Sequence, residues 1–331
     1  MKRIKKFRLS VVIIVSLFST IFLAQAVLCA DYPTRAVTVI CWSSPGAPND
    51  VLARQIAKVG QKYFGQSMNV LTKKGGGGAV AMGHLLKQKK DGYNLLTTTS
   101  SMPIAMAEGK LPFTPDQFTY LMRIQQEPFL IAVLTESPFN DLNDMMDYAK
   151  KNPGKLSIGG FGTASAHFLA FKRLALKAGN PNIRWIAYEG GADAAVACLG
   201  GHTNAVHTNY VVIGEHVKAG KMKILGVSSE ERVSFLPNVK TYTEQGYSTA
   251  PAHWRGLMGP AGMPEDVVKK IRGFMEQTVA DPEFKAFMKN AGAEFAIMES
   301  QEKFQSWVTN EVKENHELMK SLGLLGKKEK K

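Results

Sequence analysis

The stretch KKGGGGAV, residues 73–80, sets two lysines ahead of four glycines and an apolar run. Lysine beside glycine is the combination that holds phosphate in nucleotide sites. A P-loop carries its lysine after the last glycine, at the helix start, with Ser or Thr next. Here Lys73 and Lys74 come first, and Gly78 is followed by Ala79 and Val80. The dinucleotide fingerprint fails as well, because it belongs after the first strand of its unit and this loop follows the second. The order fits a loop that offers bare backbone N–H groups to a carboxylate. A flexible turn with solvent-facing lysines is the structural alternative.

Five further loops share this make-up: SSPGAPND (43–50), TSSMP (99–103), GGFGTASAH (159–167), YEGGADA (188–194) and HTNYV (207–211). Each puts small residues or hydroxyls where a strand gives way to a helix. Helix N-termini leave N–H groups unpaired, and their dipole favours anions. A single such loop is also what an ordinary α/β turn looks like; the recurrence across two similar units is the signal.

Catalytic sets are thin. The histidines at 84, 167, 202, 207, 216, 253 and 316 form no HExxH or other metal spacing. There is no GxSxG elbow, and Ser165 beside His167 says nothing about a triad, which forms in space. His167, one turn into a helix, and His207, at a strand end, could face a cleft or serve as hydrogen-bonded structural residues. Asp50, Glu189 and Asp193 could work as acid and base, yet helix capping accounts for Asp50 and Asp193. Trp42, Phe161, Tyr188 and Trp254 could wall a pocket or fill a core. An enzyme, a hydrolase or transferase using His167 and an acid, is thus the alternative to a binding protein.

The elements that must carry these loops alternate. AVTVICW (36–42), MNVLTK and YNLLTTT read as strands, separated by the helical patterns NDVLARQIAKVGQKYF, with Asn49 or Asp50 as N-cap, and AVAMGHLLKQK. This βαβαβ opening predicts a parallel sheet with helices on its faces. The middle repeats the theme with strands FLIAVL (129–134), KLSIGG, IRWIAY, NAVHTN and MKILGVS, and the last part is mainly helical. No Pro/Ser-rich linker separates the two units, so the chain is expected to cross between them more than once.

The 331 residues, 45% hydrophobic and 21% charged, suit about two domains. MKRIKKFRLS, an apolar run and small residues before CADYP read as a secretory signal over 1–30, cut after Ala26 or Ala30. A retained membrane anchor is the alternative, and bulky Leu28 argues against a lipid on Cys29. The net charge of +13 falls to about +8 without the five leader cations, and three of those sit in the tail KKEKK. A mildly basic surface favours small acidic ligands. Nucleic acid is excluded as a partner because the basic residues are scattered without aromatic interleaving. Cys41 and Cys198 read as small buried apolar residues, with a disulfide left open.

Taken in order, these segments resemble the solute receptors of the tripartite tricarboxylate transporters, the Bug family, from about Tyr32 to Leu324. The segments are YPTRAVTVI, SSPGAPNDVLAR, KKGGGGAVAMGHL, DGYNLL, FGTASAHFLA, YEGGADAAVACLGGHTNAV, VKAGKMKILGVSSEERVSFLPNVKTYTEQG and GLMGPAGMP. The resemblance implies a periplasmic, two-domain α/β clamshell of the Venus-flytrap, type II-like kind, each domain a mostly parallel sheet flanked by helices. It implies domain 1 over 31–133 plus 250–331 and domain 2 over 134–249. It further implies a monomer without cofactor or metal that closes on a small organic acid and docks on integral membrane permease subunits; a sensor's receptor subunit would look the same. The implied ligand contacts are Ser43, Ser44, Gly46 and Asp50 in the first loop, Gly76, Gly77 and Gly78 in the second, and Ser100 in the third. In the opposing turns they are Phe161, Gly162, Thr163, Ser165 and His167, then Tyr188, Gly191 and Asp193, then Asn209. Three positions depart from the family pattern. Pro48 removes one N–H donor, Phe161 replaces a commonly polar residue, and Thr208 replaces the first Asp of an Asp-Asn turn.

Overall fold

The computed structural model describes residues 32–325 apart from 164 and 299; the expected signal segment, Cys29 and the tail KKEKK lie outside the described residues.

The first lobe starts with three parallel strands, β1 (Val37–Cys41), β2 (Met68–Thr72) and β3 (Asn94–Thr99), with β1 in the middle. Between them run α1 (Pro48–Phe64) and α2 (Ala79–Leu86), and α3 (Ser101–Ala107) follows β3. Leu52, Ile56, Val59 and Phe64 recur at helical spacing along α1 and are all buried. The helix stops at Gly65, whose φ of 65° is left-handed. Its start differs from the sequence expectation. Ala47 is the cap residue and Pro48 opens the helix, because a ring-fixed φ and a missing N–H suit the first helical position. Asn49 and Asp50 therefore sit inside the first turn.

The strand expected at 129–134 is the second half of a longer one, β4 (Phe118–Leu134). Its first half pairs antiparallel with β9 (Ala252–Pro260) over Phe118–Pro128. Its second half pairs antiparallel with β7 (Ala205–Asn209) and β8 (Met222–Val227). The second lobe adds β5 (Ser157–Phe161), parallel to β7 and to β6 (Arg184–Tyr188). Its helices are α4 (Leu142–Lys151), α5 (Ala166–Lys177), α6 (Gly191–Leu199) and α7 (Tyr210–Lys218). The chain returns along β9 to complete the first lobe with α8 (Glu265–Ala280), α9 (Pro282–Asn290), β10 (Glu294–Phe295) and α10 (Gln301–Ser321). In the first lobe β1, β2, β3 and β4 run one way, against β9 and β10. In the second, β5, β6, β7 and β8 run together against β4. By pairing the sheet is mixed: β1–β2, β1–β3, β5–β6 and β5–β7 are parallel, while every pair made by β4 or β9, the strands at the crossings, is antiparallel.

Strand alternation splits each lobe's core in two. Val39 packs with Ile56, Ile271 and Phe284 on one face, and neighbouring Ile40 with Met82, Trp254 and Phe304 on the other. In the second lobe Ile131, Ile158 and Phe171 fill one face and Ala132, Val206 and Ile213 the other. Cys41 and Cys198 are buried free thiols, so the disulfide left open by the sequence is not formed. Between lobes the fully apolar link is small: Ile104 of α3, Leu169 of α5, and Leu318 and Met319 of α10. Full burial of one such side chain is worth about 1.5–3 kcal/mol, so each lobe's larger internal core holds it together more firmly than this link holds the pair.

Two polar pins mark the crossings. Asn209 Nδ2 donates to the carbonyls of Glu127 (3.2 Å) and Pro128 (3.0 Å). Ser228 Oγ accepts from Phe129 N–H (2.7 Å) and donates to the Pro251 carbonyl (2.5 Å), tying the outgoing and returning segments to one hydroxyl.

Candidate functional site

The topology sends the loops after β1, β2 and β3 to one end of the first sheet and those after β5, β6 and β7 to one end of the second, where open α/β sheets bind ligands. In the first lobe, Gly46 N–H donates to Asp50 Oδ2 at 2.9 Å, closing the 43–50 loop on itself. Asp50 is buried and its carboxylate also receives Arg54 Nε (2.8 Å) and Nη2 (3.1 Å). That guanidinium holds the carboxyl below its usual range. Asp50 therefore shapes the loop from beneath. Ser43 Oγ sits 3.2 Å from Cys41 Sγ, and exposed Ser44 accepts the Ala47 N–H through its carbonyl (3.1 Å).

Gly76, Gly77 and Gly78 have φ of 55°, 61° and 106°, a left-handed run that residues with a Cβ rarely adopt. Gly76 and Gly77 are exposed. A Cβ on Gly78 would meet Met102 Cε at 3.0 Å and the Trp42 ring at 3.8 Å, so the second loop lies against the first and against α3. Trp42 Nε1 is buried there without a partner among the described residues.

In the second lobe, Gly162 N–H donates to the Tyr188 carbonyl at 3.0 Å and the Gly162 carbonyl accepts Trp185 Nε1 at 2.8 Å. Ser165 caps α5 by accepting the Phe168 N–H at 3.2 Å, and its hydroxyl donates to the Phe161 carbonyl. Thr163 and Asp193 are exposed, and Phe161 keeps 42% of its surface open. A Cβ on Gly191 would meet Thr208 Oγ1 at 3.0 Å, which brings the 188–193 and 207–209 turns together. The structure thus gathers the predicted residues into two sets, one on each lobe. Asn209 stands apart, its amide held by the crossing.

Sequence reasoning missed His253. It lies on β9 opposite Glu127, and its Nδ1 is 2.7 Å from Ser100 Oγ. Burial, with Arg255 and His167 nearby, holds its pKa well down, and burial lowers that of His167 to about 4. Both rings are neutral at neutral pH. His167 contacts Phe129 at 4.7 Å and His207 at 5.8 Å between centroids. His167 Nδ1 and Thr208 Oγ1 are buried and unpartnered among the described residues. Nothing local in PAHWRG distinguishes this histidine; only the antiparallel placement of β9 sets it beside a turn 153 residues away.

A cavity of about 680 Å3 lies between the lobes on the flank formed by α5, α10 and β4; of the implied ligand contacts Ser100 lines it, and so does Trp254, one of the pocket-wall candidates. Among the described residues no group of three or more His, Cys, Asp or Glu could hold a metal ion, and no helix is long and apolar enough to cross a membrane.

The family model described as the tripartite tricarboxylate transporter family receptor matches residues 52–324. Protein BugT of Bordetella pertussis is 28% identical over 258 residues, 75% of this chain and 79% of that one. The crystal structure of a TctC solute-binding protein from Polaromonas, solved with no ligand, has a TM-score of 0.82 at 25% identity, covering 88% of this chain and 99% of that one. The periplasmic binding protein BugD has a TM-score of 0.67 at 28% identity, covering 89% and 100%. The crossing strands, the paired turns and this match over most of the length lead to one conclusion: the chain belongs to the tripartite tricarboxylate transporter receptor family and is a two-domain solute-binding receptor.

Proposed function

We propose that this receptor captures a small organic acid in the groove between the two sets of turns and delivers it, in the periplasm, to the integral membrane permease of a tripartite tricarboxylate-type transporter. The observation that carries the reading is the state of the helix starts. Of the helices whose N-termini belong to these turns, α1, α2, α3, α6 and α7 have no side-chain cap, while α5 is capped by Ser165. Of the helices that start elsewhere, α4, α9 and α10 are capped by Asp141, Asp281 and Ser300, while α8 follows Pro264 without a side-chain cap. Uncapped N–H groups with a favourable dipole suit a carboxylate. The neutral rings of His253 and His167 add donors without a fixed positive charge.

The mechanism follows from the crossings. The groove's walls belong to different lobes, so an acid touching both favours the closed arrangement by its differential affinity. We take the hinges at the pinned segments Glu127–Pro128 and Pro251, which moves the expected boundary at 133 back to 128 because Phe129–Leu134 pairs with β7 and β8. Domain 1 is then 31–128 plus 250–331 and domain 2 is 129–249, and we take the protein as a monomer. Ligand contacts are assigned to Ser43, Ser44, Gly46, Gly76, Gly77, Gly78, Ser100, Phe161, Gly162, Thr163, Ser165, His167, Tyr188, Gly191 and Asp193. Asp50 and Asn209 act through the loops they hold.

The test is calorimetry and thermal shift with succinate, citrate, aspartate and benzoate. An acid that binds raises Tm by mass action and is recovered chemically unchanged; conversion of the acid, or silence across the panel, refutes the reading.

A further inference from the structure

The flank cavity meets the groove's turns at Ser100 and Ala166, while its donors, on β4 and α10, lie outside those turns. Asn315 of α10 is only 3% exposed. Its Oδ1 is committed to Arg173 Nη2 of α5 at 2.9 Å, which leaves Nδ2 as the free end, buried and without a partner among the described residues. A buried donor left unmade is costly, so this amide is a place for an acceptor. Arg123 of β4 lines the same space, its guanidinium 4.8 Å from the Trp307 ring centroid. Its Nε is bound to the Ala296 carbonyl at 2.8 Å, and its terminal nitrogens make no hydrogen bond to a described residue.

We propose that this cavity is a second carboxylate-binding site, in which Arg123 and the Asn315 amide hold the acid group and Trp254 and Trp307 wall its apolar body. The nearby acids do not oppose it. Glu311 receives Trp254 Nε1 at 3.0 Å, and burial pushes its carboxyl up to about 8, so at neutral pH it is protonated and can itself donate. Glu314 is paired with Arg173 at 3.2 Å, and Glu230 is exposed. The volume of about 680 Å3 falls within the roughly 300–1,000 Å3 of small-molecule sites. The walls come from both lobes, and α5 also carries Ser165 and His167 of the groove at its start. Occupancy of either site therefore biases the same lobe arrangement, and the two are linked.

The test is titration calorimetry of the full chain with succinate, citrate and benzoate, each alone, on the wild type, Arg123→Met, Asn315→Asp and Thr163→Val. Arg123→Met keeps the stem over Trp307, and Asn315→Asp keeps the acceptor for Arg173 while replacing the free donor by an acceptor. Two binding events are expected across the acids, one that weakens in Thr163→Val and another that weakens tenfold or more in Asn315→Asp and in Arg123→Met. Should Arg123→Met fail to fold, Asn315→Asp decides. Binding of every acid within twofold of wild type in the folded variants overturns the second site while leaving the receptor reading intact. No binding of any acid overturns both.

Discussion

Ser100 Oγ and His253 Nδ1 lie 2.7 Å apart, joining the turn after β3 to the strand on which the chain returns from the second lobe. The Ser100 N–H also donates to the Trp254 carbonyl at 3.1 Å, so side chain and backbone of one turn are both fixed by β9. His253 is uncharged, its pKa held down first by burial and then by Arg255 and His167 nearby. The contact therefore sits where both lobes approach the same ligand space.

His253→Ala should weaken binding of the cognate acid about tenfold, roughly the 1.4 kcal/mol of one net hydrogen bond, with His253→Gln recovering part of the loss. Calorimetry on the two variants checks this; equal affinities in wild type and His253→Ala would remove the residue from the site.

Thr163 and Asp50 should separate contact from support. Thr163 is exposed, so Thr163→Val should change stability by less than about 0.5 kcal/mol while lowering affinity. Asp50 is buried and accepts from Gly46 and Arg54, so Asp50→Ala should lower both affinity and stability, the latter by about 1–3 kcal/mol. Urea unfolding beside calorimetry reads the two effects; a Thr163→Val variant as unstable as Asp50→Ala would reverse the assignment.

Gly160→Ala should disturb the groove from below. An added Cβ would lie 2.2 Å from Trp185 Cη2, and that indole is stacked on Phe171 at 5.3 Å while donating to the Gly162 carbonyl. Overpacking of this kind costs about 1–3 kcal/mol, and displacing Trp185 releases the turn that carries Thr163. The expected result is a lower urea midpoint together with weaker binding; undiminished affinity would show that the indole does not position the turn.

Stability should fall as pH rises between the ordinary and the shifted pKa of Glu311. Its carboxyl moves from 4.5 to about 8, so across that window the folded chain holds a proton that the unfolded chain releases. The contribution is full below about pH 4.5 and lost through about pH 8. Glu311→Gln keeps an acceptor for Trp254 and removes the titration, so its Tm should decline less from pH 5 to pH 8 than that of the wild type. Parallel declines in the two proteins would refute the burial of this carboxyl.

Residue patterns alone announced many of the elements, though not β9, α3 or the first half of β4. Periodicity along Leu52, Ile56 and Val59 announced α1, the apolar run at 36–42 announced β1, and glycines at strand ends announced the turns, because these signals depend on neighbours a few residues apart. Local rules also misled where two of them competed: Asn49 and Asp50 are good caps, yet Pro48 is a better first helical residue and moved the start upstream. The half of β4 from Phe118 to Pro128 was not legible, since its mixed residues gain strand character only from pairing with β9.

What the sequence by itself determined was the kind of parts: alternating strands and helices, six turns able to meet an anion, and the family they compose. What only the tertiary structure decided was which parts meet: Asn209 at the crossing, Asp50 beneath its loop, His253 against Ser100, and Arg123 and Asn315 on one cavity. The physical reason is range. Helical and strand periods are set by steric neighbours along the chain, whereas a contact between residues 100 and 253 exists only once two antiparallel strands have fixed their register and brought distant segments to a common edge.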